Sequence, residues 1–588
     1  MMAGVLRELQ RRNVIRAAIL YAGGIWLLAQ IIVTLGPVVG TPDWMARGFL
    51  VAAAIGFPFW VAFAWFYELT PEGIRRESEV DADRSVLKAT GRRLDFLIIG
   101  VLAIAVVLLL TDRLLRRDTE SAPPFAVADN SVAVLPLVNE SGDANALYFS
   151  DGLSEAFIDA LSQFSGLKVI ARASSFQFRG SKDPVSMIGS KLGVAHLLEG
   201  SVQRAGDAVR VSAELIDVKD GVATWSAHYD RPYKDLFKLQ DDITNAVAAS
   251  LKAKLLGGAN APLPQSDRPP TGSLEAYNAY LEGNFYGHRQ SVEDARKAVA
   301  AYTAAVTLDP GYAAAWAALV PSEINVANFS DTAAAQAQGL ARAREHAEKA
   351  VALAPDLGVA HNALGSVFAN ASNWSRAEAE YRRAIQLAPG FAAAKYNLSV
   401  LLATLGQVEE AVLLVRLALK LDPLRSAFYY KLATYLMPLG RLDEAETAIR
   451  NVIALQPDGP NYFVTLSQIE TLRGNAGAAL ADAQKQPAGP FHDAVIAQAL
   501  QIGANRAAAE AALKSLITKY PDDAPAQIAE IYAQRKEPDN VFKWLEHARI
   551  VKDQGVNNLL YDPFLLPYRH DPRFAKLCRE LNLPVPKD

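Results

Sequence analysis

The stretches AEYRRAIQLAP (379–389), LLVRLALKLDP (413–423) and TAIRNVIALQP (447–457) end in the same Leu-x-Pro signature and decide the fold of the C-terminal half. Earlier copies of the signature end at Pro310 and Pro355. Successive prolines are therefore 45, 34, 34 and 34 residues apart in this 588-residue chain. A repeating period of 34 predicts stacked helical hairpins, with each proline ending a second helix before the next hairpin begins.

Small and aromatic residues recur at fixed places within this period. Counting back from Pro389, Gly365 takes the small-residue site of the first helix, and Ala377, Tyr381 and Ala384 take the matching sites of the second. The pattern resembles the tetratricopeptide repeat (TPR). That resemblance implies pairs of antiparallel helices stacked into an all-α superhelix with one continuous core.

The limits of the repeat region follow from composition. We predict a proline-rich linker at 258–272, repeats at 273–520 and a helical cap at 521–588, because a stack leaves its last apolar face open. The 45-residue interval holds eleven residues more than the others, and we expect these in a longer inter-helix loop near 328–338.

Such a superhelix has a concave face, which in tetratricopeptide proteins is the usual docking site for an extended or helical peptide. Alignment of the repeats places five first-helix side chains on that face: Asn362, Asn370, Tyr396, Tyr430 and Asn461. Asparagine amides can hold a peptide backbone and tyrosine rings can pack its side chains. For any single position an ordinary exposed or inter-repeat role is the more common one, so the groove is a hypothesis.

The first 117 residues are dominated by apolar runs and are predicted to form a membrane module. A helix of roughly 20 apolar residues crosses a bilayer. Candidate transmembrane helices lie at about 17–35, 48–67 and 96–111. The third is short and needs its flanking arginines to reach the interface. If it does not span, the remainder of the chain is cytoplasmic.

Positive charges set the predicted orientation. Four arginines precede the first candidate span and six Lys or Arg residues separate the second from the third, against one between the first and second. This bias predicts a bacterial inner-membrane protein with a cytoplasmic N-terminus and soluble domains in the periplasm. Three arginines after the third segment oppose this orientation: Arg113, Arg116 and Arg117.

A different pattern follows the linker at 118–130. SVAVLPLV (131–138) is a buried-strand run, and 149–164 carries apolar residues at helical spacing. Three β-rich runs between residues 195 and 229 are separated by turn sequences. Residues 131–257 are therefore predicted to form an α/β domain with a mixed sheet, which makes the chain a multidomain protein.

Several stretches of this domain, in order, resemble the TolB-N-terminal-like (FlgO-like) domain: SVAVLPLVNESGD, YFSDGLSEAFIDALS, LKVIARASSFQFRG and LGVAHLLEGSVQRAGDAVRVSAELIDVKDG. ELQRRNVIRAAILYAGGIWLLAQ and FYELTPEGIRRE resemble the membrane module found ahead of it. The resemblance implies a bacterial membrane protein with TPR repeats. Some relatives carry a winged helix or a class III nucleotide cyclase domain. This chain departs from both. About 16 residues precede the first span, which is too few for a winged helix. No stretch has the length and the paired metal-binding aspartates that a cyclase domain needs.

Composition and motifs exclude several kinds of chemistry. The net charge of −4 argues against a nucleic-acid binder, which needs a basic face. The single cysteine, Cys578, cannot form an intramolecular disulfide or a thiolate metal site. The sequence has no phosphate-binding loop, dinucleotide fingerprint or nucleophile elbow, and its eight histidines are not paired at metal-ligand spacing. We therefore expect no catalytic residues, no cofactor and no metal.

The sequence thus favours a membrane-anchored TPR scaffold or adaptor that mediates protein–protein interaction and is not an enzyme. Its expected partners are a protein or peptide in the groove and the lipid bilayer, without nucleic acid. Two alternatives stay open. One is a transmembrane sensor that relays ligand or partner binding to a cytoplasmic partner, and the other is a component associated with a class III adenylate cyclase system. Partner identity and oligomeric state do not follow from the sequence.

Overall fold

A computed structural model of the chain divides into two compact units, Met1–Pro124 and Phe125–Asp588. Each is described by itself. The structure describes the following residues: 21, 25, 53, 56–58, 60, 67–70, 73–76, 128–143, 146–251, 254–255, 267–289, 291–457, 459 and 461–586.

In the first unit, strands β1 (Tyr67–Thr70) and β2 (Gly73–Arg76) pair antiparallel. The sequence analysis did not anticipate this hairpin, which takes Tyr67 from the end of the second predicted span. Tyr21 Oη donates a hydrogen bond of 2.8 Å to the Ala53 carbonyl. Within the described positions, none of the helices has the length and apolar character needed to cross a bilayer. The spans predicted at 17–35, 48–67 and 96–111 fall largely outside those positions.

The second unit opens with the α/β domain. Its elements, in chain order, are β3 (Ser131–Val134), β4 (Val138–Asn139), α1 (Leu147–Leu161), β5 (Phe164–Ser165), β6 (Lys168–Val169), α2 (Arg172–Ser175), α3 (Val185–Leu192), β7 (His196–Ala205), β8 (Ala208–Asp217), β9 (Ala223–Pro232), α4 (Leu236–Ser250) and β10 (Lys254–Leu255).

The main sheet is mixed, as predicted. Its order is β6-β3-β7-β8-β9, with β4 beside β7. β3 runs parallel to β6 and β7, whereas β7, β8 and β9 form antiparallel hairpins. Val132 and Val134 pack into a cluster with α1 and α4, while Ala133 packs with α3 on the opposite face. Because both faces of β3 are covered, its sequence is an unbroken apolar run.

The remainder of the second unit is helical, and its described helices are α5 (Leu274–Gly287), α6 (Val292–Leu308), α7 (Ala313–Asn328), α8 (Ala333–Leu353), α9 (Gly358–Asn370), α10 (Trp374–Leu387), α11 (Ala392–Thr404), α12 (Val408–Leu421), α13 (Ser426–Leu436), α14 (Leu442–Leu455), α15 (Tyr462–Arg473), α16 (Ala476–Ala483), α17 (Pro490–Gln501), α18 (Arg506–Lys519), α19 (Pro525–Gln534), α20 (Pro538–Ile550) and α21 (Pro572–Glu580). From α5 to α20 the helices pack as successive pairs, each stacked on the next. The helical hairpins predicted from the 34-residue period are present.

The Leu-x-Pro turns are tied to the helix that follows them. A side chain six residues beyond the proline donates to the proline carbonyl: Trp316 Nε1 to Pro310 (3.1 Å), His361 Nε2 to Pro355 (2.8 Å), and Lys395 Nζ to Pro389. Three different residue types thus satisfy the same carbonyl at the end of a second helix, where the helix itself supplies no donor.

The prediction of a longer loop within the 45-residue interval is wrong. They do not form a long loop near 328–338, because α7 ends at Asn328 and α8 begins at Ala333. The extra length lies in the helices, since α8 alone has 21 residues. Its first residues, AAAQAQ, are strong helix formers, and Thr332 caps them by accepting from the Ala335 amide at 3.2 Å. The helix therefore starts earlier than the loop prediction allowed.

The α/β domain and the first repeat share a hydrophobic core. One cluster contains Leu153 and Phe157 of α1 together with Ala276, Tyr277 and Leu281 of α5. Gly152 of α1 lies against Leu281. The nearest side-chain carbon of Leu281 would be 2.6 Å from a Cβ at position 152. Glycine at this point lets the two helices approach closely, and burying the shared apolar surface joins the two domains.

Candidate functional site

The two tyrosines predicted for the groove lie on the first helices of neighbouring repeats, α11 and α13, and are half-buried. The Tyr396 ring stacks on Phe428 with a centroid separation of 4.7 Å, and the Tyr430 ring lies 6.0 Å from that of Tyr462. Burial raises the pKa of both phenols. Their rings form part of the inter-repeat packing.

The three predicted asparagines have different surroundings. Asn362 is half-buried, and its side-chain oxygen accepts from Asn397 Nδ2 at 3.0 Å, beside Tyr396. Asn370 is exposed at the end of α9. Asn461 has a left-handed backbone (φ +63°) just before α15, and its side-chain oxygen accepts from Gln486. Asn362 therefore bonds to the residue that follows Tyr396 in α11, whereas Asn461 helps shape the turn before α15.

Residues 557–566, which we call the tail segment, pack against the repeats, a contact that the sequence analysis did not predict. Leu560 lies 3.5 Å from the Cβ position that a side chain at Gly406 would occupy. The Tyr561 ring packs edge-on against Tyr435 of α13 at 5.6 Å and is 6% exposed. Burial raises the pKa of Tyr561, and Tyr430, Asp562 and Tyr396 add to the effect in that order. The predicted groove tyrosines pack against the same hydrophobic cluster that contains Tyr561.

A pair of acidic side chains lies beside Tyr561. Glu530 of α19 is buried, and its Oε2 accepts from Gln498 Nε2 at 3.1 Å and from Gln468 Nε2 at 3.2 Å. Its other partner is Asp562. Burial raises the pKa of Glu530 well above its usual range, and burial also raises that of Asp562 to about 6. The Glu530 carboxyl group therefore favours its protonated form, in which it donates a hydrogen bond to the Asp562 carboxylate.

The end of the chain is attached to an earlier repeat. Trp374 Nε1 donates to the Asn582 carbonyl at 2.5 Å, and Asn582 Nδ2 donates to the Ser372 carbonyl at 2.7 Å. Between these contacts and the tail segment, α21 packs against α20 through a cluster that includes Phe574, Leu577 and Cys578. The C-terminal residues therefore connect the last helix pairs to the turn between α9 and α10.

The α/β domain contacts the other edge of the repeats, at the Leu-x-Pro turns. Ala171 N donates to the Leu421 carbonyl at 2.8 Å. Ser174 Oγ donates to Asp422 and accepts from Leu424 N at 2.8 Å. The Asp422 side chain is buried, and burial raises its pKa to about 6.

The aspartates of the two Leu-Asp-Pro turns have matching roles. Asp309 is 1% exposed and accepts from Thr271 Oγ1 at 2.7 Å, just as Asp422 accepts from Ser174. In both turns, a hydroxyl from a segment outside the stack satisfies a buried carboxylate. The three remaining Leu-x-Pro turns have alanine or glutamine at that position.

Two acidic residues of α1 lie near the first repeat. Glu155 contacts His288 Nε2 at 2.8 Å and Arg172 at 3.5 Å. Burial raises its pKa, but these two contacts outweigh burial and lower the pKa overall. Asp159, one turn later, has a raised pKa because of burial and the adjacent Glu155. Across the described part of the chain, no His, Cys, Asp or Glu residues gather in a group of three or more that could hold a metal ion.

Comparisons with known proteins match the helical half. The Tetratricopeptide repeat family profile matches residues 362–426 and 430–493. Solved structures with similar folds include YrrB, described as a TPR protein with an unusual peptide-binding site (20% identity, TM-score 0.26, 36% of this chain and 97% of YrrB). PilW, described as a widely conserved type IV pilus biogenesis factor, is also similar (19% identity, TM-score 0.30, 36% of this chain and 92% of PilW). The chain therefore carries TPR repeats in its C-terminal region, after an α/β domain.

One curated relative is also similar. It is named "Putative adenylate cyclase 3", from Rhizobium meliloti (strain 1021), and is 37% identical over 199 residues. The matched stretch covers 34% of this chain and 33% of the relative. This chain thus spans about a third of the length of the relative that it matches.

Proposed function

We propose that this protein is a membrane-anchored TPR scaffold that binds a protein partner and has no catalytic activity of its own. The observation that carries the proposal is the array of TPR helix pairs, in which Tyr396 and Tyr430 lie on neighbouring first helices. Aromatic rings and side-chain amides on a concave helical surface suit recognition of a peptide. The α/β domain, which resembles the TolB-N-terminal-like domain, joins the repeats to the membrane module.

A crosslinking pull-down from membranes tests the scaffold proposal. Asn370→Arg adds bulk and charge at an exposed inner-helix position, and the expected result is loss of most of the partner recovered with the wild type. Leu413→Arg is the matched control, because Leu413 is 58% exposed on α12, a second helix of its repeat. Absence of any specific protein in the wild-type sample would contradict the proposal. Equal recovery with both variants would exclude Asn370 from the binding surface.

The proposed location is the bacterial inner membrane, with the N-terminus in the cytoplasm and the soluble domains in the periplasm. The charge bias around the apolar runs supports it. We expect a fusion of alkaline phosphatase after Thr111 to be active and a fusion of GFP at the same point to be dark. An inactive phosphatase together with a fluorescent GFP fusion would instead place the body in the cytoplasm.

A second candidate is a component associated with a class III adenylate cyclase system, which the relative from Rhizobium meliloti favours. Only a third of that relative is matched, so its named activity is not transferred with the similarity. The two candidates differ in a direct assay. The scaffold proposal expects no cyclic nucleotide from ATP with the purified chain, and measurable formation would overturn it.

A further inference from the structure

The main sheet of the α/β domain has two very different edges. At one edge, β6 has only two residues, and the chain that follows it bonds to the repeats through Ala171 N and the Leu421 carbonyl. At the other edge, β9 has ten residues and packs mainly against β8 and α4. Among the strands that the structure describes, none pairs with the outer side of β9. An edge of about 30 Å therefore presents backbone N–H and C=O groups to which another strand can bond.

β9 lacks most of the features that protect an exposed sheet edge. Natural edges are blunted by lysines, by internal prolines, by bulges or by being short. The sequence of β9, ATWSAHYDRP, contains no lysine, and its proline, Pro232, is its last residue. The irregularity in its pairing with β8 lies near its first residue, between Leu215 and Ile216 of β8. Residues 225–232 are therefore paired regularly with β8 and form an unprotected edge.

The side chains of β9 alternate between two faces of the sheet. Trp225, Ala227 and Tyr229 are half-buried, and the two aromatic rings border the core cluster that includes the apolar side chains of α4. Ser226 and His228 point to the opposite face and are exposed. A strand added at this edge would extend an aromatic face on one side and a polar face on the other.

The charged residues of β9 are already paired within the chain. Asp230 contacts Arg210 of β8 at 2.8 Å, and Arg231 lies 3.9 Å from Asp242 of α4. An added strand therefore does not have to supply a counter-charge. The edge suits a strand that is itself nearly neutral, such as a second copy of β9.

The sequence of β9 is complementary to itself. Two copies can pair antiparallel about a twofold axis normal to the sheet, so that each face continues across the axis. With the axis at Ala227, Trp225 of each copy lies opposite Tyr229 of the other, and Ser226 lies opposite His228. Aromatic pairs and hydrogen-bonding pairs at opposite positions stabilise antiparallel strands. The remaining opposite pairs bring no like charges together: Asp230 with Thr224, and Arg231 with Ala223.

We propose that β9 is the dimerisation edge of this protein, at which a second copy adds its own β9 antiparallel with Ala227 on the twofold axis. The two main sheets then form one continuous sheet. An axis at His228 is less suitable, because it brings Pro232, which has no N–H, into the pairing. The inference concerns the α/β domain and does not depend on what the repeats bind, so it can fail without affecting the scaffold proposal.

Cysteine crosslinking of the full-length protein in intact cells tests the proposal. Ala227→Cys places the thiols of two copies at the axis, where opposite Cβ atoms are about 5 Å apart, so a short bis-maleimide reagent should give a covalent dimer. The chain's own cysteine, Cys578, is buried, and the unsubstituted protein measures its background. Ala223→Cys is the matched control. Its two copies would be about 26 Å apart along the paired strands and should give at least about 10-fold less dimer.

Lysine variants in the Ala227→Cys background test the strand pairing itself. Ser226→Lys with His228→Lys puts lysine opposite lysine on both sides of the axis and should lower the yield of dimer at least about 10-fold. Ser186→Lys with Ser190→Lys adds the same charge at exposed positions of α3, on another part of the domain. This second pair should leave the yield unchanged.

Three results would overturn the proposal. They are absence of a covalent dimer with Ala227→Cys, equal yields from Ala227→Cys and Ala223→Cys, and a crosslinked product whose mass shows a different protein in place of a second copy. Equal yields from the two lysine pairs would overturn it as well. The comparison of positions 227 and 223 needs no lysine variant, so it decides even if the lysine variants do not fold.

Discussion

Gly152→Leu is expected to separate the α/β domain from the repeats and to replace one cooperative thermal transition with two. A side chain at position 152 would begin 2.6 Å from Leu281, inside a core that the two domains share. Neither helix can move away without exposing that core, so the added volume must separate α1 from α5. Overpacking of this kind costs about 1–3 kcal/mol, and loss of the domain contact adds to it.

Differential scanning calorimetry is the measurement, and two further variants make it specific. Leu281→Ala removes the clashing atoms, so the double variant should be less destabilised than the sum of the single changes. Gly477→Leu is the control, because no atom lies within 4 Å of the Cβ position at that helical glycine. A Gly152→Leu protein that melts like the wild type would show that the domain contact is not tight.

Stability is expected to fall as pH rises from about 4 to above 6, and Glu530→Gln should remove the part of that fall that Glu530 contributes. Asp422 and Asp562 have pKa values raised to about 6 from 3.8, and Glu530 is raised further. A group with a raised pKa holds its proton in the folded state after the unfolded chain has released it. Unfolding then releases protons, so folding free energy is lost as pH rises from the unfolded pKa to the folded one.

The expected size is about 2–3 kcal/mol for each raised aspartate, since one pKa unit corresponds to about 1.4 kcal/mol. The lowered pKa of Glu155 acts in the opposite direction, but its effect lies below pH 4.5. Glutamine at position 530 can donate to Asp562 and accept from Gln468 and Gln498 without a titratable proton. Its stability should exceed that of the wild type at pH 8, and the difference should shrink as the pH falls.

Urea denaturation at several pH values checks this prediction. Glu348→Gln is the control, because Glu348 is an exposed partner of Arg344 on one helix and such pairs contribute little. Asp422→Asn should flatten the pH profile as well, through the domain contact at Ser174 and independently of the tail segment. A wild-type profile that rises from pH 5 to pH 8 would contradict the assignment of the protonated pair.

The 34-residue period was sufficient to predict the helix pairs, because each Leu-x-Pro turn is a local signal. It also predicted Tyr396 and Tyr430 as groove residues, which stays a prediction. The period could not reveal that Tyr561 packs in the same cluster, since that contact joins residues more than 100 positions apart and has no periodic signature. The period also led to a wrong loop prediction at residues 328–338, where strong helix formers begin α8 instead.

The aspartates of the Leu-Asp-Pro turns are a sequence signal of contacts outside the repeats, and the sequence analysis did not use it. Asp309 and Asp422 differ from the alanine or glutamine of the other turns, and both are buried against hydroxyl groups from outside the stack. A charged residue at an otherwise small or neutral repeat position indicates an additional contact. The identity of the contacting segments, at Thr271 and Ser174, is a property of the tertiary structure alone.

The bond between Asn582 and the turn at Ser372 changes the mechanics of the molecule. A solenoid whose repeats touch only their neighbours can extend along its axis. Here a hydrogen bond from Asn582 to Ser372 joins positions 210 residues apart in sequence. A pulling force must break this hydrogen bond before the repeats can extend. The repeats should therefore resist small forces rigidly and then yield in a single abrupt step.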